Sequence, residues 1–187
     1  MPQNPPGDRS SQLRDLAGRF TALHHEIRTL AWGPGTDALA KNGPLVARAQ
    51  SLTTATLARL TALNADTISR ALPGSSTRST IASAAFSAAC AATDLTAALM
   101  ENPYDASPFA GHPAPTQEER RARHSEARTI MAEHLTDAAH QLDAGAICLH
   151  YAAGSTDTRH PSPDGPKAGR PRVPKAPGAG PTGTPRR

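Results

Sequence analysis

Residues 10–31 read SSQLRDLAGRFTALHHEIRTLA. Leu13, Leu16, Phe20, Leu23, Ile27 and Leu30 recur at intervals of three or four, the period of one face of an α-helix. Gly33-Pro34-Gly35 follows and ends it, because no helix continues through that triplet.

The same spacing returns three times. A second helix is expected from Pro44, or slightly earlier, to Leu72, since proline suits a first turn where its missing N–H costs nothing. Its buried stripe is Leu45, Ala49, Leu52, Thr56, Leu60, Leu63 and Thr67, leaving Arg48, Arg59, Asp66 and Arg70 toward water, and Pro73-Gly74 stops it. A third follows a Ser75/Ser76 cap and reaches about Glu101, before Asn102-Pro103, with Ile81, Ala84, Ala88, Ala92, Leu95 and Leu99 as its stripe. Nine of the 21 residues from Ile81 to Glu101 are alanine, which lets neighbouring helices approach closely. The fourth opens on Thr116-Gln117-Glu118-Glu119, a capping-box spacing, and runs to roughly Ala152 before Gly154. Ala127, Met131, Leu135, Ala138, Leu142 and Leu149 form its apolar stripe, and Gly145 is a candidate bend.

Composition excludes the alternatives. The chain of 187 residues has 36 Ala and 16 Leu against 2 Val, 5 Ile and 6 aromatics, too few β-branched and aromatic side chains to clothe a sheet. Leu, Ile, Val and Phe number 26, so the core is expected to be thin. Short connections favour antiparallel neighbours, giving an all-α fold, an antiparallel four-helix bundle over 10–153. The N-terminal segment before it, 1–9, is expected to be disordered. The connection 102–115 holds four prolines, and its Tyr104 and Phe109 are expected to cap the bundle end. Residues 154–187 contain eight Pro and six Gly in 34 positions and cannot bury enough apolar surface to fold, so this tail is expected to be disordered. Aligning the end of the third helix with the start of the fourth puts Cys90 and Cys148 20 residues out of register, about 30 Å, so both thiols are expected to be free.

Charge is divided unevenly. Residues 1–153 carry 13 basic and 14 acidic side chains, net −1, whereas 154–187 carry 7 and 2, net +5. Arg outnumbers Lys 17 to 3, which with the abundance of Ala, Pro and Gly reads as GC-rich coding and not as a functional preference. Met1 to Gly7 has neither a basic region nor an apolar run, so no signal peptide is expected. Ile81 to Met100 has the length of a membrane span but carries Asp94 among mostly Ala, Ser and Thr, and is not expected to insert. The expectation is a soluble cytoplasmic protein without membrane contact.

Several groups could carry chemistry. At 100° per residue His24 falls inside the Leu13/Phe20/Ile27 stripe, and His124 falls in line with Met131, Leu135 and Leu142. If the first and fourth helices are neighbours, these imidazoles could meet inside the bundle, with His134 as a third ligand, as in metal-binding bundles. The Glu-x-x-His and His-x-x-x-His spacings of such sites are absent, and Glu133, Asp137 and His140 align on the opposite, solvated face. No Gly-x-Ser-x-Gly elbow and no Gly-Lys-Ser/Thr phosphate loop occurs, and no cofactor is expected. Arg120-Arg121-x-Arg123 follows Glu118-Glu119 at helical spacing, where opposite charges support one another; it reads as a solvated first turn, with an anion site as the alternative.

Lys167-Ala168-Gly169-Arg170-Pro171-Arg172-Val173-Pro174-Lys175 resembles an AT-hook, a short motif that lies in the DNA minor groove. The resemblance implies that Arg170 enters the groove, whose narrow A·T form concentrates negative potential, while Lys167, Arg172 and Lys175 meet phosphates. Ala168 stands where the motif has arginine, which favours non-specific attachment. Arg186 and Arg187 extend the basic run. The function expected from sequence is a non-enzymatic helical interaction module whose basic tail weakly binds nucleic acid or another polyanion. The alternatives are a metal-binding or metal-dependent bundle using His24, His124 and His134, and a homo-oligomer packed through the alanine-rich third helix.

Overall fold

The computed structural model describes residues 6–31, 33–70, 75–103 and 114–157. Four helices make up the fold: α1 (Pro6–Thr29), α2 (Asp37–Arg70), α3 (Ser75–Met100) and α4 (Gln117–Asp157). They form an antiparallel, up-down-up-down bundle in which α1 packs on α4, α4 on α3 and α3 on α2, while α1 and α2 touch only lightly.

Each apolar stripe faces inward. Leu13, Leu16, Phe20, Leu23 and Ile27 of α1 and Met131, Leu135, Leu142 and Leu149 of α4 are buried together with Leu45, Leu52, Ile81 and Leu95. Burying a side chain of this size stabilises the fold by about 1.5–3 kcal/mol. Ala84, Ala88, Ala91 and Ala98 are buried between α2 and α4, so most of the alanine face that sequence alone offers to a second copy is covered within one chain. By length and composition Ser76–Met100 could cross a membrane, yet half of that stretch is bundle core.

Boundaries shift in three places. α1 starts at Pro6, inside the segment expected to be disordered, and α4 continues through Gly154 to Asp157, into the expected tail. α2 begins at Asp37 and carries Pro44 inside it. The first turns of α2 bury Ala38, Asn42 and Leu45 on one face, and this packing outweighs the hydrogen bond that proline removes. The preceding residue is Gly43, which has no Cβ to clash with the proline ring.

The capping box of α4 forms as expected. The Thr116 N–H donates to Glu119 Oε2 at 2.8 Å, and the Glu119 N–H donates to Thr116 Oγ1 at 3.2 Å. Gly145 sits at a close helix contact. A Cβ there would lie 2.5 Å from Cε1 of Phe20 and 3.5 Å from Cβ of Ser87, so this glycine lets α1, α3 and α4 close on one another. Tyr104 and Phe109 lie outside the described residues.

Pairing across the bundle fixes the register. Ser10 donates to the Ala153 carbonyl and His24 bonds to that of Ala139, so Thr29, five residues on, is level with about residue 134. Gly145 against Ser87 likewise sets Met100 level with about residue 132. The first fifteen or so residues of α4 therefore overhang both neighbouring helices. For the same reason Cys90 is level with about residue 142, and Cys148 is displaced by only about 9 Å along the axis. The expected 30 Å came from aligning helix ends that do not align. Both cysteines are free.

Candidate functional site

The three histidines proposed as ligands do not converge. His24 is half-buried and donates its Nδ1 hydrogen to the Ala139 carbonyl at 2.9 Å, because a carbonyl can only accept. His124 precedes Ala139 by fifteen residues, which places it about 22 Å away along α4. His134 sits instead between α4 and α3, near Asp94. Among the described residues no three His, Cys, Asp or Glu side chains form a metal-ligand group. Glu133, Asp137 and His140 are exposed, as their position opposite the apolar stripe requires.

Asp94 of α3 carries a perturbed carboxyl. Burial pushes its pKa up, the Asp137 carboxylate opposite pushes it further, and His134 opposes both. This arrangement joins α3 to α4 on the flank of the bundle. It offers one carboxyl that holds its proton more tightly than usual, and among the described residues no metal-ligand group forms around it.

The overhang of α4 carries the other concentration of charge. Gln117, Arg120, Arg121, His124, Ser125 and Arg128 line a cavity of about 360 Å³. Gln117, Arg121, His124 and Arg128 follow one another at i, i+4, i+7 and i+11, so they continue the inward row of Met131, Leu135 and Leu142. The row changes from apolar to cationic where α1 and α3 end. Beside it lies the α1–α2 connection, because a Cβ built on Gly35 would be 3.7 Å from Cε1 of His124.

That connection is held in place by a residue that sequence reading treats only as a helix stop. Asn102 is buried. Its Oδ1 accepts the Gly35 N–H at 2.7 Å while its Nδ2 donates to the Gly35 carbonyl at 3.0 Å. One side-chain amide thus satisfies both backbone groups of a residue 67 positions away. Gly35 adopts φ 133°, a conformation that glycine alone reaches without strain. The only advance signal of this clamp is an asparagine at a helix end, and that is too common to be informative.

Other concavities lie among the described residues. Gln50, Thr53, Thr93, Thr96 and Met100 border a groove of about 520 Å³ on the outer side of α2 and α3. Gln12, Asp15, Arg19 and Arg59 border one of about 350 Å³ in the loose α1–α2 seam, which the Arg48–Glu26 ion pair also crosses. Lys167, Arg170, Arg172, Lys175, Arg186 and Arg187 lie outside the described residues. No protein family, no curated protein and no solved structure matches this chain, so its chemistry must be read from its own residues.

Proposed function

We propose that this protein is a non-enzymatic helical interaction module that attaches to a polyanion, nucleic acid in the first place, through its Lys- and Arg-rich C-terminal segment. The observation that carries this reading is the division of charge: net +5 in residues 154–187 against −1 in the other 153. A segment of that composition gains little by folding alone and much by neutralising phosphates and releasing their counterions. α4 supports the reading as a rigid support of 41 residues whose C-terminal end leads into the basic segment.

The test is a duplex-DNA titration of the full chain beside a full-length variant with Lys167, Arg170, Arg172 and Lys175 all changed to Gln. Wild-type affinity should fall steeply with salt, and the variant should lower the log–log slope by about 3–4, near 0.9 for each phosphate no longer neutralised. Equal affinities, or no binding at low salt, would remove the proposal.

A further inference from the structure

We infer that the overhanging turns of α4 form a second anion site, separate from the C-terminal segment, in which Arg120, Arg121 and Arg128 around His124 receive a ligand carrying adjacent phosphates. It does not depend on the reading of the tail: α4 runs on to Asp157, so the basic segment begins at the far end of the same helix, about 50 Å from His124.

Three observations point the same way. First, the arginines share one cavity of about 360 Å³ with Gln117 and Ser125, which supply neutral hydrogen-bonding groups. Secondly, none of the described residues forms an ion pair with Arg120, Arg121 or Arg128. Of the nearby acids, Glu118 forms no ion pair with them, and Glu119 and Glu126 are directed elsewhere. Glu119 is held by the N–H and hydroxyl of Thr116, which with nearby Arg123 keep its carboxyl below the usual range. At 100° per residue Glu126 falls on the side of α4 away from the cationic row.

Thirdly, the placement runs against local electrostatics. Arg120 and Arg121 stand in the opening turns of α4, where the helix dipole repels cations. The row that Arg121 shares with His124 and Arg128 is the inward one, where the bundle elsewhere places Met131 and Leu135. Local rules broken at one place mark a functional site more often than an oversight of folding. The unmet positive charge, the dipole and the guanidinium fork all favour an oxyanion, and phosphate matches the fork bidentately.

Size selects among phosphates. Arg121 and Arg128 are seven residues apart, about 10 Å along the axis, a span suited to two or more linked phosphates. Such groups occur in soluble polyphosphates and in a nucleic-acid backbone, and the experiment separates the two sources.

Full-length protein and an Arg121→Gln/Arg128→Gln variant would be titrated with inorganic tripolyphosphate and, separately, with duplex DNA. Both side chains are exposed, so the variant should keep its melting temperature within a degree or two of wild type. Tripolyphosphate affinity should fall about tenfold per arginine removed, the size of one charge-assisted hydrogen bond. Amide shifts in wild type should cluster at residues 117–128 and at Gly35. Loss of tripolyphosphate binding alone assigns the site to a small ligand, and loss of both assigns it to a nucleic-acid backbone. Unchanged affinity for both probes, or shifts confined to residues beyond 157, overturns the inference.

Discussion

Gly145→Ala is the sharpest test of the packing. In an isolated helix the change is favourable by about 1 kcal/mol, since alanine restricts the unfolded chain and suits the helix. Here the new methyl would sit 2.5 Å from Cε1 and 2.7 Å from Cδ1 of Phe20, well inside the 3.4–4 Å of ordinary contact. Phe20 is 0% exposed and cannot swing outward. Relief requires the ring to leave its rotamer or α1 to move off α4, an overpacking cost of about 1–3 kcal/mol. The net expectation is destabilisation by up to about 2 kcal/mol, a fall in Tm of up to roughly 4–8 °C for a chain of this length.

Gly18→Ala supplies the control, because Gly18 lies in α1 with nothing within 4 Å of the added methyl. It should raise Tm by about 2–3 °C, so one substitution gives opposite signs at two glycines. Phe20→Leu shortens the obstructing ring, and in that background Gly145→Ala should recover at least about 1 kcal/mol of its cost. Thermal and urea denaturation followed by circular dichroism measure all four variants. If Gly145→Ala stabilises as much as Gly18→Ala, α1 and α4 do not meet where the structure places them.

Two further perturbations test other contacts. Asn102→Ala leaves the Gly35 N–H without its partner and removes one of the two donors to the Gly35 carbonyl, which keeps the Ala38 N–H, and should cost about 1–3 kcal/mol by denaturant melts, whereas a destabilisation under about 0.5 kcal/mol would refute the clamp. Asp94→Asn tests a carboxyl whose pKa is raised in the fold above its ordinary 3.8. The folded state binds that proton more tightly than the unfolded chain, so stability is complete below pH 3.8 and declines as pH rises through the elevated value. The amide should therefore be more stable than wild type at pH 7 and lose that advantage toward pH 3.5, and an advantage independent of pH would reject the assignment.

What the chain reveals in advance follows the range of the interactions. Periodicity and caps are local, so the stripes of α1, α3 and α4 and the Thr116–Glu119 box are visible in the chain. Pro44 misleads because burial of Ala38 and Asn42 overrides a strong local preference. Register is not local: nothing near Cys90 or Cys148 tells how far α4 runs past its neighbours. His124 aligns with Met131 and Leu135 by helical period alone, yet the cationic row around it reads as a solvated turn until the overhang is known. The Asn102–Gly35 pairing joins residues 67 apart through two side-chain hydrogen bonds and leaves no periodic trace.

That pairing also governs how the protein can breathe. The α1–α2 seam is the thinly packed side of the bundle, yet one of its ends is riveted to α3 through Gly35. The two helices are hinged there like the arms of a clothes-peg, and at the far end Arg59 donates a hydrogen bond to Gln12 Oε1 across the seam. Amide hydrogens beside those two residues should exchange with solvent before any near the rivet, because one side-chain bond on the thinly packed seam opens more readily than a buried two-bond clamp.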